Sequence, residues 1–440
     1  MTTFWCEHAV LPSGPRHAVR VLVERGRIVE VLPGEVAQPG DVVLLGVVHP
    51  GFANAHSHAF HRALRGRTHG GRGDFWSWRR EMYALACRLD PDSYLELARA
   101  VFAEMVLAGY TVVGEFHYLH HAPDGGPYDE PNAMGLALTR AAHEAGIRLT
   151  LLDTLYLSGG LTESGYLPLD EVQRRFADAS VEAWAARVDD LAGDERLRVG
   201  AAVHSVRAVP RADLAAVAGA TDGRSPLHVH LSEQPAENLA CEAHHGCSPT
   251  ALLESEGLLR PTTTAVHATH LTDDDIRTLG VAGVTAAFCP TTERDLADGI
   301  GPARALADAG APLAIGSDQH AVIDPFEEVR GLEMNERLAH LERGRFTASE
   351  LVAAATVNGY RSLGWPDGGR LAPGHVADLV SVRLDSPRTA GTAPDRMLYS
   401  ATAADVTDVV VAGERVVEGG RHRLGDVGDL LARAITAVRP

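Results

Sequence analysis

The chain reads as an α/β protein: a (β/α)8 TIM-like barrel with a small discontinuous β-sandwich formed by both chain ends. Three observations predict this. Apolar runs of strand length start at Val47, Thr111, Ile147, Leu197, Leu227, Thr264, Val284 and Pro312, about the eight that such a barrel needs. Helical patterns, such as those over 93–108 and 132–145, separate most of them. Several runs deliver a histidine or an acid at their C-terminal end, where this architecture builds its active site.

The elements follow in order. Residues 18–23 and 27–32 alternate in polarity and join through Glu24-Arg25-Gly26, which is hairpin chemistry. Runs at 377–382, 408–413 and 414–417 repeat that style near the other end. The expected division is therefore a β-domain from 1–48 and 368–440 around a barrel over 49–367. The first barrel strand is expected to run from Val47 through Ala55 and to present His56 and His58. The Gly- and Arg-rich segment 62–74 lacks periodicity and is expected to be a long active-site loop. The alanine-rich stretch 181–188 favours helix.

Composition narrows the chemistry. A formal charge of -18 argues against nucleic acid or an anionic membrane as partner, and requires that any anionic substrate meet a local positive site. The chain contains no lysine, so its 40 basic residues are all arginine. A bridging carbamylated lysine, a Schiff-base lysine and a P-loop lysine are thereby excluded, which favours one metal over a bridged pair. Five cysteines without a CxxC pair fit a reducing cytoplasm. The first residues lack the pattern of a secretory signal, and no apolar stretch is long enough to span a bilayer.

Four fragments carry the chemistry. His56-Ser57-His58 places two imidazoles on one face of a strand end. Leu227-His228-Val229-His230-Leu231-Ser232-Glu233 delivers a histidine and, three residues on, an acid. Thr264-Ala265-Val266-His267 and Pro312-Leu313-Ala314-Ile315-Gly316-Ser317-Asp318 end in a histidine and an aspartate. Taking His56, His58 and His230 as nitrogen ligands and Asp318 as an oxygen ligand leaves one position for water, the mark of a catalytic metal site. Such a water has a pKa near ~7. Asp318 can accept its proton, His267 can hydrogen-bond a developing tetrahedral centre, and Glu233 can carry a proton to a leaving amine. The reaction class that follows is hydrolytic attack on an sp2 carbon bearing nitrogen. His228 reads as core, His270 as non-catalytic, His120 and His121 as surface residues of a polar loop, and Cys289 as strand-end packing.

At these residues the chain resembles the amidohydrolase superfamily, in its mononuclear deaminase branch. The longer strings His56-Ser57-His58-Ala59-Phe60, Phe75-Trp76-Ser77-Trp78-Arg79, Glu115-Phe116-His117-Tyr118-Leu119-His120-His121, His204-Ser205-Val206-Arg207-Ala208-Val209 and Cys289-Pro290-Thr291-Thr292-Glu293 are similar to the formimidoylglutamate deiminases. The resemblance covers nearly the whole chain. It implies one zinc ion per chain on His56, His58, His230 and Asp318, with proton transfer by Glu233, His267 and Asp318. It also implies substrate contacts from Arg79, Tyr118, His204 and Arg207, with His61 at the pocket. The substrate would be a small anionic amino-acid derivative handled by a cytoplasmic homodimer in histidine degradation. Two positions depart from the family pattern. His61 stands where glutamine usually follows the His-Ser-His-Ala-Phe string, and Gln319 stands where serine commonly follows the metal aspartate. Both are expected at the pocket mouth or the substrate.

Two other readings compete. A related deaminase acting on an aminated heterocycle, such as guanine or an adenosine derivative, would need a flat stacking pocket instead of carboxylate clamps. A catalytically dead scaffold would be expected to have lost metal ligands, and this chain keeps them all.

Overall fold

The computed structural model describes residues 1–68, 75–221 and 226–439. Its centre is an eight-stranded parallel sheet whose strands pair in chain order: Phe52–Ser57, Tyr110–His117, Arg148–Leu155, Leu197–Val203, Leu227–Leu231, Thr263–His267, Thr285–Phe288 and Leu313–Ile315. All eight are buried along their length or nearly so, as strands covered by helices on the outside must be. Helices Pro91–Leu107, Ala133–Ala145 and Val181–Asp189 form where the sequence predicts them. The first of these starts on an Asp90–Ser93 capping box with Pro91 at its first position.

The barrel closes between its last and first strands. Ser57 bridges Asp318 in parallel register, and the amides of Ser317 and Asp318 donate to His56 O at 3.1 and 3.0 Å. Asn54 reinforces this seam, donating to Ser317 Oγ at 2.6 Å and accepting from Ser317 N at 2.9 Å. Gly316 lets the strands approach: a Cβ there would lie 2.8 Å from His56 Cβ and 2.9 Å from Cys289 Sγ.

The predicted first strand is two strands. Pro50 and Gly51 break the apolar run, so Val42–Pro50 belongs to a different sheet from Phe52–Ser57. Gly51 sits where any side chain would collide with Thr111, at 2.0 Å from its Oγ1. That second sheet also has eight strands. Thr2–Leu11, Gly14–Glu24, Arg27–Pro33 and Val42–Pro50 join Leu379–Val382, Val406–Val411, Glu414–Glu418 and Arg421–His422. The expected hairpin turns at Arg25 and Gly26, both in the left-handed region. In the predicted loop 62–74, residues up to Leu64 continue a short 3-10 helix from Ala59, and 69–74 lie outside the described residues.

Asp378 fastens the two sheets together. Its carboxylate pairs with buried Arg148 at 2.9 Å, at the start of the third barrel strand. It also accepts from Tyr360 Oη at 2.6 Å and from Ala412 N at 2.7 Å. Removing one partner of a buried pair strands the other charge, at about 3–5 kcal/mol. Asp378→Ala should therefore lower the unfolding free energy by about that amount in denaturant titration. A loss within about 1 kcal/mol would show that Asp378 is not the fastener.

Candidate active site and metal centre

Four side chains from three strand ends meet at the C-terminal face of the barrel. His230 Nε2 lies 3.2 Å from His56 Nε2, and Asp318 Oδ1 lies 3.3 Å from His56 Nε2 and 3.4 Å from His58 Nε2. A tetrahedral shell with bonds of about 2.0–2.1 Å has edges of about 3.3–3.4 Å, and these three separations match it; His56, His58 and His230 form one metal-capable cluster, and His56 and His58 each join Asp318 in another. The tautomers agree. His58 Nδ1 donates to Phe116 O at 3.0 Å and His230 Nδ1 to His204 O at 2.8 Å, which leaves both Nε2 lone pairs facing inward. Burial holds both imidazoles well below their usual pKa, in the neutral form that ligates. Burial alone would raise Asp318, but the hydrogen bond to His56 and the neighbouring imidazoles hold it well below the usual carboxylate range.

The backbone around this point is strained. Ser232, His267, Ala268, Asp318 and His320 all have positive φ, between 41° and 67°, a region that side chains other than glycine avoid. They cap the fifth, sixth and eighth barrel strands, which turn their side chains toward a common centre. Buried Glu115 holds the first strand end, accepting from Ser57 Oγ and Ala59 N, both at 2.6 Å. Its carboxyl is pushed up to about 8 by burial, against the pull of those two donors and Tyr94.

The residues expected to move protons lie beside the expected metal ligands. His267 Nε2 is 3.8 Å from Glu233 Oε1 and 4.0 Å from Asp318 Oδ2, and its Nδ1 is 3.6 Å from Glu293 Oε1. Burial opposes its charge, but Glu233, Glu293 and Asp318 together raise it to about 10. Burial raises Glu233, with His267 and Arg207 pulling the other way.

A pocket joins part of this set to two arginines. His61, Tyr118, His204, Arg79 and Arg207 all line it, with Trp78, Tyr83, Tyr156 and Phe176 as aromatic walls. Arg79 Nε donates to Tyr83 Oη at 2.8 Å. Buried Gln173 donates to Tyr83 Oη at 3.2 Å and to Tyr156 Oη at 3.1 Å, setting both phenols. Sequence reasoning missed Tyr83, Tyr156 and Gln173, which lie outside every quoted string. His61 faces the pocket as expected, 2.9 Å from Tyr118 Oη, and burial pushes it down to about 3, so it is neutral.

Gln319 corrects an expectation. It is buried, does not line this pocket, and donates to Asp295 at 2.8 Å in a neighbouring cavity. His120 is likewise not a surface residue. It is 1% exposed and donates to Thr154 O at 2.9 Å, and His121 is partly buried against Ala177 O. The loop that carries them folds back over the third strand. His228 is core, donating to Ser362 O, and His270 donates to Asp298 O away from the metal set. Cys289 is buried at a strand end.

The sequence matches the amidohydrolase family over residues 47–416. A formimidoylglutamate deiminase of Pseudomonas aeruginosa is 36% identical, with 96% of each chain covered. An 8-oxoguanine deaminase of the same organism is 33% identical over 94% of this chain and 92% of its own. Among solved structures, an amidohydrolase from Brucella melitensis superposes with a TM-score of 0.92 at 34% identity, both chains fully covered. An adenosine deaminase from Xanthomonas campestris, determined with bound zinc, gives 0.84 at 25% identity over 99% of this chain and 97% of its own.

His230→Ala removes one corner of the ligand set while leaving the strand intact. Elemental analysis after gel filtration should find the wild-type chain loaded with a divalent metal and the variant depleted, with turnover lost in parallel. Full metal content in the variant would place the ion elsewhere.

Proposed function

This chain belongs to the amidohydrolase family, as a hydrolase acting on C–N bonds, and we propose that it converts N-formimidoyl-L-glutamate and water to N-formyl-L-glutamate and ammonia, a step of histidine degradation. The observation that carries this reading is that Arg79 and Arg207 line the same pocket as His58, His230 and Asp318 of the expected metal set. An acidic chain needs such local cations to hold a dicarboxylate, and the guanidinium fork matches a carboxylate. We assign one zinc ion per chain to His56, His58, His230 and Asp318. The donor set suits it, and a related structure carries zinc.

A bound divalent ion supplies a water that ionises near neutral pH and polarises the amidine carbon's surroundings. The chain's own groups do the rest. Asp318, held ionised, takes the proton of the attacking water. His267, fixed beside Glu233, Glu293 and Asp318, hydrogen-bonds the attacking oxygen. Glu233, whose burial favours the protonated form, donates a proton to the imino nitrogen, which takes the C=N electron pair as the C–O bond forms. Asp318 then passes its proton to the same nitrogen, the C–N bond breaks to release ammonia, and Glu233 takes the hydroxyl proton as the carbonyl forms. His61, neutral and tied to Tyr118, fills the place of the usual glutamine as a polar wall.

Ammonia release from N-formimidoyl-L-glutamate by metal-analysed protein tests the assignment, with formimidoyl-aspartate, guanine and 8-oxoguanine as controls. Turnover of a purine with none of formimidoylglutamate would overturn it in favour of the heterocycle reading. Glu233→Gln should retain metal and lose roughly 10²-fold to 10⁴-fold in kcat. Near-normal turnover with intact metal would remove Glu233 from the proton path. Arg79→Met and Arg207→Met should each reduce kcat/KM at least roughly tenfold, as the loss of a charge-assisted hydrogen bond of about 1.5–3 kcal/mol requires. Parent-like turnover by both would end the dicarboxylate assignment.

A further inference from the structure

Glu237 occupies the first turn of the helix Pro235–His245, which follows the fifth barrel strand. Its side chain is fully buried, and neither carboxylate oxygen has a hydrogen-bond partner. Buried carboxylates without partners are rare, because desolvation is then uncompensated. Arg207 supplies the compensation: its Nε lies 3.8 Å from Glu237 Oε2, too far for a hydrogen bond, and is itself unpartnered. Arg207 is therefore shared. One side faces Glu237 behind the wall, and the other lines the pocket.

We propose that Glu237 is the proton-linked counterion of Arg207: the pair balance each other in the free protein, and a substrate carboxylate that engages Arg207 leaves Glu237 to take up a proton from solvent. This rests on the reading that the substrate is a dicarboxylate. Glu237 is a positioning residue here, since it reaches substrate only through Arg207. The groups that face it are Arg207, which favours its charged form, the Glu233 side chain just before the helix, which disfavours it, His267, which favours it, and the Glu233 backbone, which also favours it. Burial, the largest influence, pushes Glu237 up to about 7 even with Arg207 unengaged. Engagement of Arg207 raises it further. The sign follows: below that value Glu237 is already protonated and binding takes up no proton there, whereas above it binding must carry one, and affinity falls as pH rises.

Calorimetry with the reaction product N-formyl-L-glutamate, in buffers of different ionisation enthalpy, measures this directly on the metal-loaded protein. The wild type should take up close to no proton through this group at pH 5.5 and a substantial fraction of one at pH 8, with Kd weakening several-fold between them. Glu237→Gln should lose that fraction, bind about as the wild type does at pH 5.5, and bind more tightly than it at pH 8. Equal proton uptake and equal pH dependence in the two proteins would overturn the proposal. If Glu237→Gln loses binding at both pH values, Glu237 merely scaffolds Arg207 and the proposal also falls. Failure of the wild type to bind the product at all would instead count against the dicarboxylate reading.

Discussion

The closure of the barrel and the assembly of its reactive centre are one interaction. His56 is one of the proposed metal ligands, and its backbone carbonyl accepts the amides of Ser317 and Asp318. Asp318 is another, and its own carbonyl accepts from His58 N at 3.1 Å. A metal ion on those side chains would tie together the same two strands that the seam joins. Positive φ angles gather at the ends of the fifth, sixth and eighth strands, and Asp318 is among them, whereas His56 and His58 have none. Gly316 and Asn54 serve the same junction from behind, one by leaving space and the other by filling the hydrogen bonds of Ser317.

The charges in the pocket bear on how an acidic chain would hold the proposed anionic substrate. Around His267 stand Glu233, Glu293 and Asp318. A bound divalent ion would add positive charge beside these carboxylates, and Arg79 and Arg207 line the same pocket. On the proposed function, a dicarboxylate would be held with its carboxylates on the arginines and its amidine toward the histidines and Asp318. A flat purine would gain the aromatic walls but leave two arginines without an anion, an unfavourable exchange in a dry pocket.

Much of this was legible in the chain. Strand ends bearing His56, His58, His230, His267 and Asp318 stand out because ligand chemistry restricts residue type, and barrel topology brings sequence-distant strand ends together. The break at Pro50-Gly51 was not read, although both residues are strong punctuation, because the apolar run continues across it. Burial of His120 was missed since neighbouring proline, aspartate and glycine read as solvent-facing loop, and only the fold-back onto Thr154 covers it. Gln319 was misplaced because its partner Asp295 lies on another element. Tyr83, Tyr156, Gln173 and Glu237 matter through three-dimensional neighbours on other elements, and no local pattern marks such residues.

The central claim is that one small divalent ion at the His3Asp centre and two arginines lining the same pocket hold a single dicarboxylate between them. A crystal structure with N-formyl-L-glutamate, with anomalous data collected on both sides of the zinc absorption edge, tests it most directly. The account predicts one zinc peak enclosed by His56, His58, His230 and Asp318, the formyl oxygen directed at it, and carboxylates on Arg79 and Arg207. A zinc peak away from those four side chains, or product bound with its carboxylates clear of both arginines, would contradict it.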